Sequence, residues 1–413
     1  MMVKRFLVIF SVSDSIPLFY AFYDAFRFGF AAVFITLHAA IHTGILLEWR
    51  RDKKTAETAP APPEPAVSVI VPVHNEEPRL TRLLESLAAQ DYPASEFIFI
   101  DDRSSDRSPQ MLRRFAAARG GAVRIITLEE NTAFNRKQYA LQKGIAASNG
   151  DLLLFTDADC CVPDRWIRGM AARMADPRIG ITIGPVFKRP AGPGFFDAYQ
   201  CFDHAVRYMY LVGSTGIGAA GGGFGNNFMV RRAALEAAGG YGAVPWSPTE
   251  DAALIATVRA ASRYRIRSAV GRDIFVITEG ERCWKALVNQ TLRWNNGGLF
   301  SPDLSTRFNF GFLMVTIGMG IAAMPFLWAA PSLWPLTGAV LGAMTLNTAA
   351  TLLLFGSALP RKGPLYAALT VFTPIYFTFL TVLGFCGIKP LWRPPPASGC
   401  LKPPPPPQPP AVS

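Results

Sequence analysis

The sequence predicts an α/β domain with a doubly wound mixed sheet, flanked in the chain by transmembrane helices. Short apolar runs alternate with helical patterns between Val67 and Phe155, which is typical of a parallel sheet covered by helices. Long runs without a charged residue stand near both ends of the chain, at 29–47, 308–360 and 363–388.

The uncharged runs have the length of membrane spans. A bilayer core needs about 20 apolar residues per helix, so the first run predicts one span and the later runs predict about three, near 310–330, 333–356 and 363–388. Pro331 and Pro335 separate the first two of these. A buried soluble helix is the alternative, but runs of this length argue against it.

These runs divide the chain into five parts. We expect an N-terminal segment with one transmembrane helix (1–49), a basic and Pro-rich linker (50–66), the sheet domain (67–306), about three transmembrane helices (307–390) and a Pro-rich tail (391–413). Four prolines between 60 and 65 favour an extended connector. The tail is expected to be polyproline-like or disordered, and the signal-like extreme N-terminus is expected to be retained.

The net charge is +11, and the basic residues flank the membrane runs or are scattered through the middle. Anionic lipid headgroups are therefore expected as partners, and nucleic acid is not. The basic group of Arg50, Arg51, Lys53 and Lys54 places the sheet domain in the cytoplasm by the positive-inside rule. Basic residues on the opposite side, such as Lys389, leave this orientation open, so the expectation is a multi-pass cytoplasmic-membrane protein.

The sheet domain follows a regular alternation. Ligands in such sheets bind beyond the carboxyl ends of the strands, where two acidic pairs stand. A glycine cluster at 221–225 reads as a loop, because it lacks the strand and helix that flank a nucleotide fingerprint. The expected strands are 67–71, 97–100, 123–127, 152–155 and 181–183, and the expected helices are 77–90, 109–119 and 135–148.

Asp157 and Asp159 directly follow an apolar strand, and Asp101 and Asp102 follow another. Residues two apart on an extended chain point to the same side. Two carboxylates suffice for Mg²⁺ or Mn²⁺ when a diphosphate completes the coordination. Aspartate is also common in turns, where its side chain hydrogen-bonds to the nearby backbone. The position of both acidic pairs at the same edge of the sheet favours the metal site over this alternative.

Glu250 and Asp251 precede an apolar run that reads as the start of a helix. Two interpretations compete. The negative charges could simply stabilise the N-terminus of the helix through its dipole. Alternatively, one carboxylate could be a general base that takes a proton from an acceptor hydroxyl.

Gln290, Arg293 and Trp294 are spaced to project from one face of a helix. Arginine can stabilise a departing diphosphate, and tryptophan offers a flat apolar surface to a sugar ring. An interfacial helix next to a membrane span would also contain Trp and Arg, and both interpretations can hold together.

From about residue 67 to 300, the ordered D, D-x-D, E-D and Q-x-x-R-W series resembles the membrane-bound branch of the family 2 glycosyltransferases, which have the GT-A fold. The opening strand and V-P-x-x-N-E stretch also resemble the family. By this resemblance Glu76 and Asp102 hold the uracil and ribose of a UDP-sugar, and Lys137 lies near the diphosphate.

The same resemblance assigns the reacting groups. Asp157 and Asp159 would serve the diphosphate and its Mg²⁺ or Mn²⁺, with Asp159 the direct ligand, and Asp251 of the Glu250 pair would be the base. Gln290, Arg293 and Trp294 would face acceptor and diphosphate, with an acidic residue upstream at Glu279. Two departures are Glu281, where the family often has proline, and the Cys160 and Cys161 pair after the metal motif.

The implied reaction is a single inverting displacement with no covalent intermediate. About four spans are few for a polymer channel, so we expect transfer of one sugar from a UDP-sugar to a membrane lipid at the cytoplasmic face. A processive polysaccharide synthase is the alternative. A membrane protein that binds UDP-sugar without turnover is a further one, against which the presence of Asp251 argues.

Overall fold

The computed structural model describes residues 12–57, 64–93, 95–129, 136–261, 263–301, 303–360 and 363–388. Within them, alternating strands and helices form the middle of the chain, and long apolar helices lie on both sides of it. The helices are α1 (Val12–Glu57), α2 (Glu77–Ala88), α3 (Ser108–Arg119), α4 (Arg136–Ala146), α5 (Trp166–Ala172), α6 (Phe195–Gly216), α7 (Arg232–Ala237), α8 (Glu250–Ala261), α9 (Trp284–Leu299), α10 (Leu304–Ala323), α11 (Trp334–Phe355) and α12 (Gly363–Phe385).

Nine strands form two sheets in the described part of the chain. The larger sheet has the order β3-β2-β1-β4-β7-β5-β8, and β6 pairs with β9. Strand β7 runs antiparallel to both β4 and β5, whereas the other pairs are parallel. The strands are β1 (Val67–Val73), β2 (Ser95–Asp101), β3 (Val123–Thr127), β4 (Leu152–Phe155), β5 (Ile179–Ile183), β6 (Val186–Arg189), β7 (Phe228–Arg231), β8 (Arg265–Ser268) and β9 (Val276–Glu279).

The predicted doubly wound mixed sheet is confirmed. Strand β1 lies between β2 and β4, with Val69 opposite both Phe97 and Leu154. All four residues of β4 are buried, as expected for a strand covered on both faces. Parallel register brings the carboxyl ends of β1, β2 and β4 to one edge, which sets the position of the acidic pairs.

Four described helices are long and apolar enough to cross a membrane: Arg27–Thr55, Thr306–Phe326, Pro331–Ala358 and Gly363–Phe385. They flank the sheet domain, as the predicted fold class required. Within the stretch expected as a basic and Pro-rich linker at 50–66, α1 continues without a break to Glu57. No proline stands between residues 18 and 59, so nothing breaks the helix in the basic stretch. Residues 1–11, 58–63 and 389–413 lie outside the described part.

The aromatic-rich stretch near 195–210 is helix α6, which the sequence left unassigned. It packs closely on α1 through glycines. A Cβ at Gly44 would stand 2.0 Å from the carbonyl oxygen of Gly213, and one at Gly216 would stand 2.1 Å from that of Gly44. The two backbones are therefore in direct contact, which only residues without a side chain permit.

A buried ion pair ties α1 to the sheet domain. Arg173, just after α5, donates to Asp52 near the end of α1 and, at 2.8 Å, to Asp273. The side chains of Arg173 and Asp52 are 4% and 6% exposed. Breaking such a pair leaves an uncompensated buried charge, so this contact fixes where the first membrane-length helix meets the domain.

Candidate active site

The acidic pairs lie at the carboxyl edge of the sheet, beside one cavity of about 2080 Å³. Asp101 accepts a hydrogen bond from the backbone N–H of Ser104 and thereby holds the turn after β2. Asp102, which lines the cavity, is paired with Arg103 at 2.7 Å. The structure thus separates a turn-forming aspartate from one that faces the cavity.

Lys137, in the first turn of α4, joins two of the predicted motifs. Its ammonium lies 2.8 Å from Asp157 Oδ1 and 3.1 Å from Glu250 Oε1. Burial disfavours the charged amine, but the two carboxylates outweigh this effect and raise the pKa of Lys137. The side chain therefore stays protonated and supplies a fixed positive charge at the sheet edge.

Asp159 has less compensating charge. Its Oδ2 lies 4.0 Å from Arg79 Nη1, and Arg79 is paired more closely with Glu76 at 2.5 Å. Burial, followed by repulsion from Asp157, raises the pKa of Asp159. The carboxylate is thus an acidic group that an additional cation in the cavity would stabilise.

The donor set fits a divalent cation shared with a substrate. Asp157 and Asp159 supply carboxylate oxygens at one edge. The described residues contain no group of three or more His, Cys, Asp or Glu side chains arranged to hold a metal. Mg²⁺ and Mn²⁺ accept one or two carboxylates together with phosphate oxygens and water, so this site would hold such an ion with a diphosphate.

Glu250 and Asp251 open α8, and both line the cavity. Asp251 Oδ1 accepts a hydrogen bond of 2.8 Å from the backbone N–H of Ala252, and a Cβ at Gly225 would stand 3.3 Å from that of Asp251. Burial, and then the negative charge of Glu250, raise the pKa of Asp251 to about 7. A carboxylate with this pKa can exchange a proton near neutral pH.

The predicted helical face is present on α9, and Gln290, Arg293 and Trp294 all line the cavity. Gln290 accepts a 2.6 Å hydrogen bond from Lys188 and donates one of 2.7 Å to Glu281. The Lys188 ammonium also lies 5.5 Å from the centre of the Trp294 ring. The helix therefore presents an amide and an indole whose positions are fixed by a buried lysine.

The structure brings together every residue that the sequence singled out as a site candidate. Glu76, Asp102, Lys137, Asp157, Asp159, Glu250, Asp251, Gln290, Arg293 and Trp294 all line the one cavity. Glu279 lines it too and is paired with Arg82. Their common location is consistent with a single site, and the role of each remains a prediction.

The cavity residues that sequence reasoning missed include Arg79, Lys188 and His204. Lys188 is 3% exposed and follows the buried apolar residues Val186 and Phe187 in β6, and a lysine that continues a short apolar run is a signal that could have been used. Burial lowers the pKa of Lys188 to about 8. His204 lies on α6 and stacks on Phe224 with a ring separation of 4.2 Å, a contact that no sequence pattern indicates.

The cavity does not end at the sheet domain. It continues between the membrane-length helices, where its wall includes Ile41 of α1, Leu313 of α10, Met344 of α11 and Phe377 of α12. The carboxylates at the sheet edge and the apolar side chains of four membrane-length helices thus face one continuous space.

Comparison with known sequences agrees with this geometry. Residues 68–239 match the family described as Glycosyl transferase family 2. An N-acetylglucosaminyltransferase of Rhizobium meliloti is 34% identical over 139 residues, which are 33% of this chain and 32% of the relative. An undecaprenyl-phosphate 4-deoxy-4-formamido-L-arabinose transferase of Pseudomonas aeruginosa is 36% identical over 112 residues, 26% of this chain and 32% of the relative. The chain therefore spans about a third of the length of these relatives.

Comparison with solved structures identifies the fold. A mannosyltransferase from Pyrobaculum calidifontis, solved in complex with GDP-Man and Mn²⁺, superposes with a TM-score of 0.50 at 22% identity. The match covers 86% of this chain and 99% of that one. Residues 68–239 are a Glycosyl transferase family 2 domain, and the domain has a GT-A fold.

Proposed function

We propose that the protein transfers one sugar from a UDP-sugar to a membrane lipid at the cytoplasmic face, with inversion at the anomeric carbon. The observation that carries this proposal is the continuous cavity. It joins the carboxylates and basic groups at the sheet edge to the space between four membrane-length helices. A soluble sugar nucleotide and a membrane-embedded acceptor can meet only in a site that opens to both.

The donor would lie at the sheet edge. Glu76 and Asp102 stand where a nucleoside would be held beyond β1 and β2, and Lys137 and Arg293 supply positive charge for the diphosphate. The Rhizobium meliloti relative and the Pyrobaculum calidifontis structure carry different sugars by their descriptions. We infer from the family resemblance that the donor nucleotide is UDP, and the test therefore compares UDP-sugars with GDP-mannose.

Asp157 and Asp159 would hold Mg²⁺ or Mn²⁺ together with the diphosphate, and such an ion would neutralise charge on the departing UDP. The Pyrobaculum calidifontis structure contains Mn²⁺, which supports this choice. Lys137 keeps Asp157 in place from the other side through its 2.8 Å contact.

The transfer itself needs one base. Asp251 accepts the proton of the acceptor hydroxyl as that oxygen attacks the anomeric carbon and the bond from this carbon to the UDP oxygen breaks. A pKa raised to about 7 leaves a large fraction of Asp251 ionised at neutral pH and makes it a stronger base than an ordinary carboxylate. Trp294 would pack on the sugar ring, held by the basic groups of Lys188 and Arg207 beside it.

The basic residues on the domain side support a cytoplasmic catalytic domain. Arg51, Lys53 and Lys54 are carried by the last turns of α1, immediately before the sheet domain. The resulting orientation would expose the sheet edge to cytoplasmic nucleotide sugars.

The test measures UDP release by the purified full-length protein in detergent, with Mg²⁺ or Mn²⁺, a panel of UDP-sugars and GDP-mannose, and a membrane lipid extract. Lipid-dependent release that disappears in Asp251→Asn supports the proposal, and the labelled product identifies donor and acceptor. Lengthening polysaccharide without added lipid would instead support a processive synthase. Nucleotide-sugar binding without any release would leave a binding protein.

A further inference from the structure

A polar side chain lies in the apolar interior of the membrane-length helices. Asn347 on α11 is 1% exposed and lines the cavity. Neither its amide nitrogen nor its amide oxygen has a hydrogen-bond partner among the described residues. A polar group without a partner is costly inside a membrane, and polar groups there usually face a cavity or a substrate pathway.

Three threonines of α11 and α12 line the cavity as Asn347 does. Thr348 on α11 and Thr370 on α12 are hydrogen-bonded through their hydroxyls at 2.9 Å. Thr373 is 8% exposed, and its hydroxyl also lacks a partner within the described part of the chain. We call Asn347, Thr348, Thr370 and Thr373 the intramembrane polar cluster.

A proline adds a further acceptor to this cluster. Pro374 lies inside α12 and has no N–H, so the carbonyl of Thr370, four residues earlier, lacks its usual helical donor. Pro374 also lines the cavity. The wall thus combines an amide, hydroxyl groups and a backbone carbonyl that is not held by the regular helix ladder.

The part of the cavity wall that α10, α11 and α12 contribute is uncharged. None of the described cavity residues contributed by α10, α11 and α12 is Asp, Glu, Lys or Arg. The rest of this wall is mainly apolar and includes Leu313, Met314, Ile317, Met344 and Phe377. A neutral ligand with one short polar section and long apolar sections matches this pattern, whereas a phosphate would need basic groups.

The depth of the cluster is set by α11. Its last residue, Phe355, contacts Phe187 of β6 at a ring separation of 5.1 Å, so this end of the helix touches the catalytic domain. Asn347 is eight residues earlier, about 12 Å along the helix axis. The cluster therefore lies on the membrane side of the domain, within the part of the cavity that only a lipid acceptor would need.

We propose that the intramembrane polar cluster binds the ester or amide carbonyls in the backbone of a neutral acceptor lipid, of the diacylglycerol or ceramide type. The inference rests on the proposed function in treating the lipid as the acceptor. The Asn347 amide donates to a carbonyl, and the hydroxyls of Thr348 and Thr373 contact the same backbone. The apolar wall packs against the chains.

Two other occupants fit less well. The tail of a polyprenyl phosphate is hydrocarbon and offers no group for Asn347 to bond. A polysaccharide would need polar or aromatic side chains along the whole passage, whereas Leu313, Met314 and Met344 make much of this wall aliphatic.

The test is equilibrium binding of radiolabelled lipids to the full-length protein in dodecyl maltoside. The probes are dioleoylglycerol, a C18 ceramide, the diether analogue of dioleoylglycerol without ester carbonyls, and decaprenyl phosphate. The variant is Asn347→Leu, with Thr348→Val as a milder second one. The matched control is Thr337→Val, since Thr337 is also buried on α11 but does not line the cavity and donates to the backbone of its own helix.

We expect dioleoylglycerol or ceramide to bind at least about fivefold more weakly to Asn347→Leu than to the wild type, the loss of roughly one buried hydrogen bond. Thr337→Val should leave binding unchanged, and the diether should bind both forms equally. Equal binding of diester and diether by the wild type would overturn the proposal, as would tight binding of decaprenyl phosphate alone, or of a growing glycan.

The two proposals can fail separately. UDP release with an acceptor that does not depend on Asn347 would overturn this assignment and leave the transferase proposal standing. Carbonyl-dependent lipid binding without any UDP release would support the lipid-binding assignment and overturn the transferase proposal.

Discussion

The ammonium of Lys137 lies 3.1 Å from Oε1 of Glu250 and 2.8 Å from Oδ1 of Asp157. This one side chain therefore connects the motif that follows β4 to the motif that opens α8, although Lys137 and Glu250 are 113 positions apart in the sequence. The position of the proposed base relative to the proposed diphosphate site depends on this contact.

Replacement of Lys137 by methionine should abolish most of the activity. The change keeps the length of the side chain but leaves Asp157 and Glu250 without their shared cation. We expect UDP release to fall about a hundredfold or more, together with weaker UDP binding. Lys143→Met is the matched control, because Lys143 is exposed on the same helix, and it should behave as the wild type. Wild-type turnover in Lys137→Met would contradict the proposed role.

The pH profile should report the ionisation of Asp251. Only the carboxylate form can accept a proton, and its pKa is raised to about 7. The kcat/KM for transfer should therefore fall about tenfold per pH unit as the pH drops below about 7. Asp251→Asn should lose a hundredfold to ten-thousandfold in kcat while nucleotide-sugar binding is retained. A flat profile down to pH 5 would show that another group limits the reaction.

Glu250 provides a check on this assignment. Its negative charge helps to raise the pKa of Asp251, so Glu250→Gln should move the acidic limb of the profile to lower pH. The direction is fixed, because removal of a neighbouring negative charge favours ionisation of the remaining carboxyl. A shift to higher pH, or no shift, would mean that Asp251 is not the group that titrates.

The proposed metal site can be tested through binding as well as activity. EDTA should stop turnover, and Mg²⁺ or Mn²⁺ should restore it. In titration calorimetry, Asp159→Asn should bind UDP about tenfold more weakly with Mn²⁺ present and as well as the wild type in its absence. Asp164→Asn is the control, since Asp164 is exposed and close in sequence. Equal Mn²⁺ dependence in wild type and Asp159→Asn would exclude Asp159 as a ligand.

The sheet could be predicted because each of its strands is recognisable from a local run of apolar residues. Strand β4 is four apolar residues, all buried, followed at once by the aspartate motif. A parallel strand that is covered on both faces is expected to be a continuous run of apolar residues. The position of Asp157 and Asp159 at the ligand-binding edge follows from the same rule, so this half of the candidate site was visible in the sequence.

The other half depends on packing that leaves no local pattern. Lys188 meets Gln290 across 102 positions of the chain, and helix α6 owes its place to backbone contact with α1 at Gly213. The cavity between the membrane-length helices is likewise a product of how they pack. Hydropathy identified the helices one at a time and could not indicate that Asn347 faces a space continuous with the sheet edge.

The contact between α1 and α6 gives the last prediction. A Cβ at Gly44 would lie 2.0 Å from the carbonyl oxygen of Gly213, closer than any packing allows, so Gly44→Ala should force the helices apart. We expect the Tm of the detergent-solubilised protein to fall by more than about 5 °C. Gly29→Ala changes the same helix in the same way, but its Cβ would meet nothing within 4 Å. Because alanine favours a helix equally at both sites, the difference between the two variants isolates the cost of separating α1 from α6. Equal Tm values would mean that the helices are not in backbone contact.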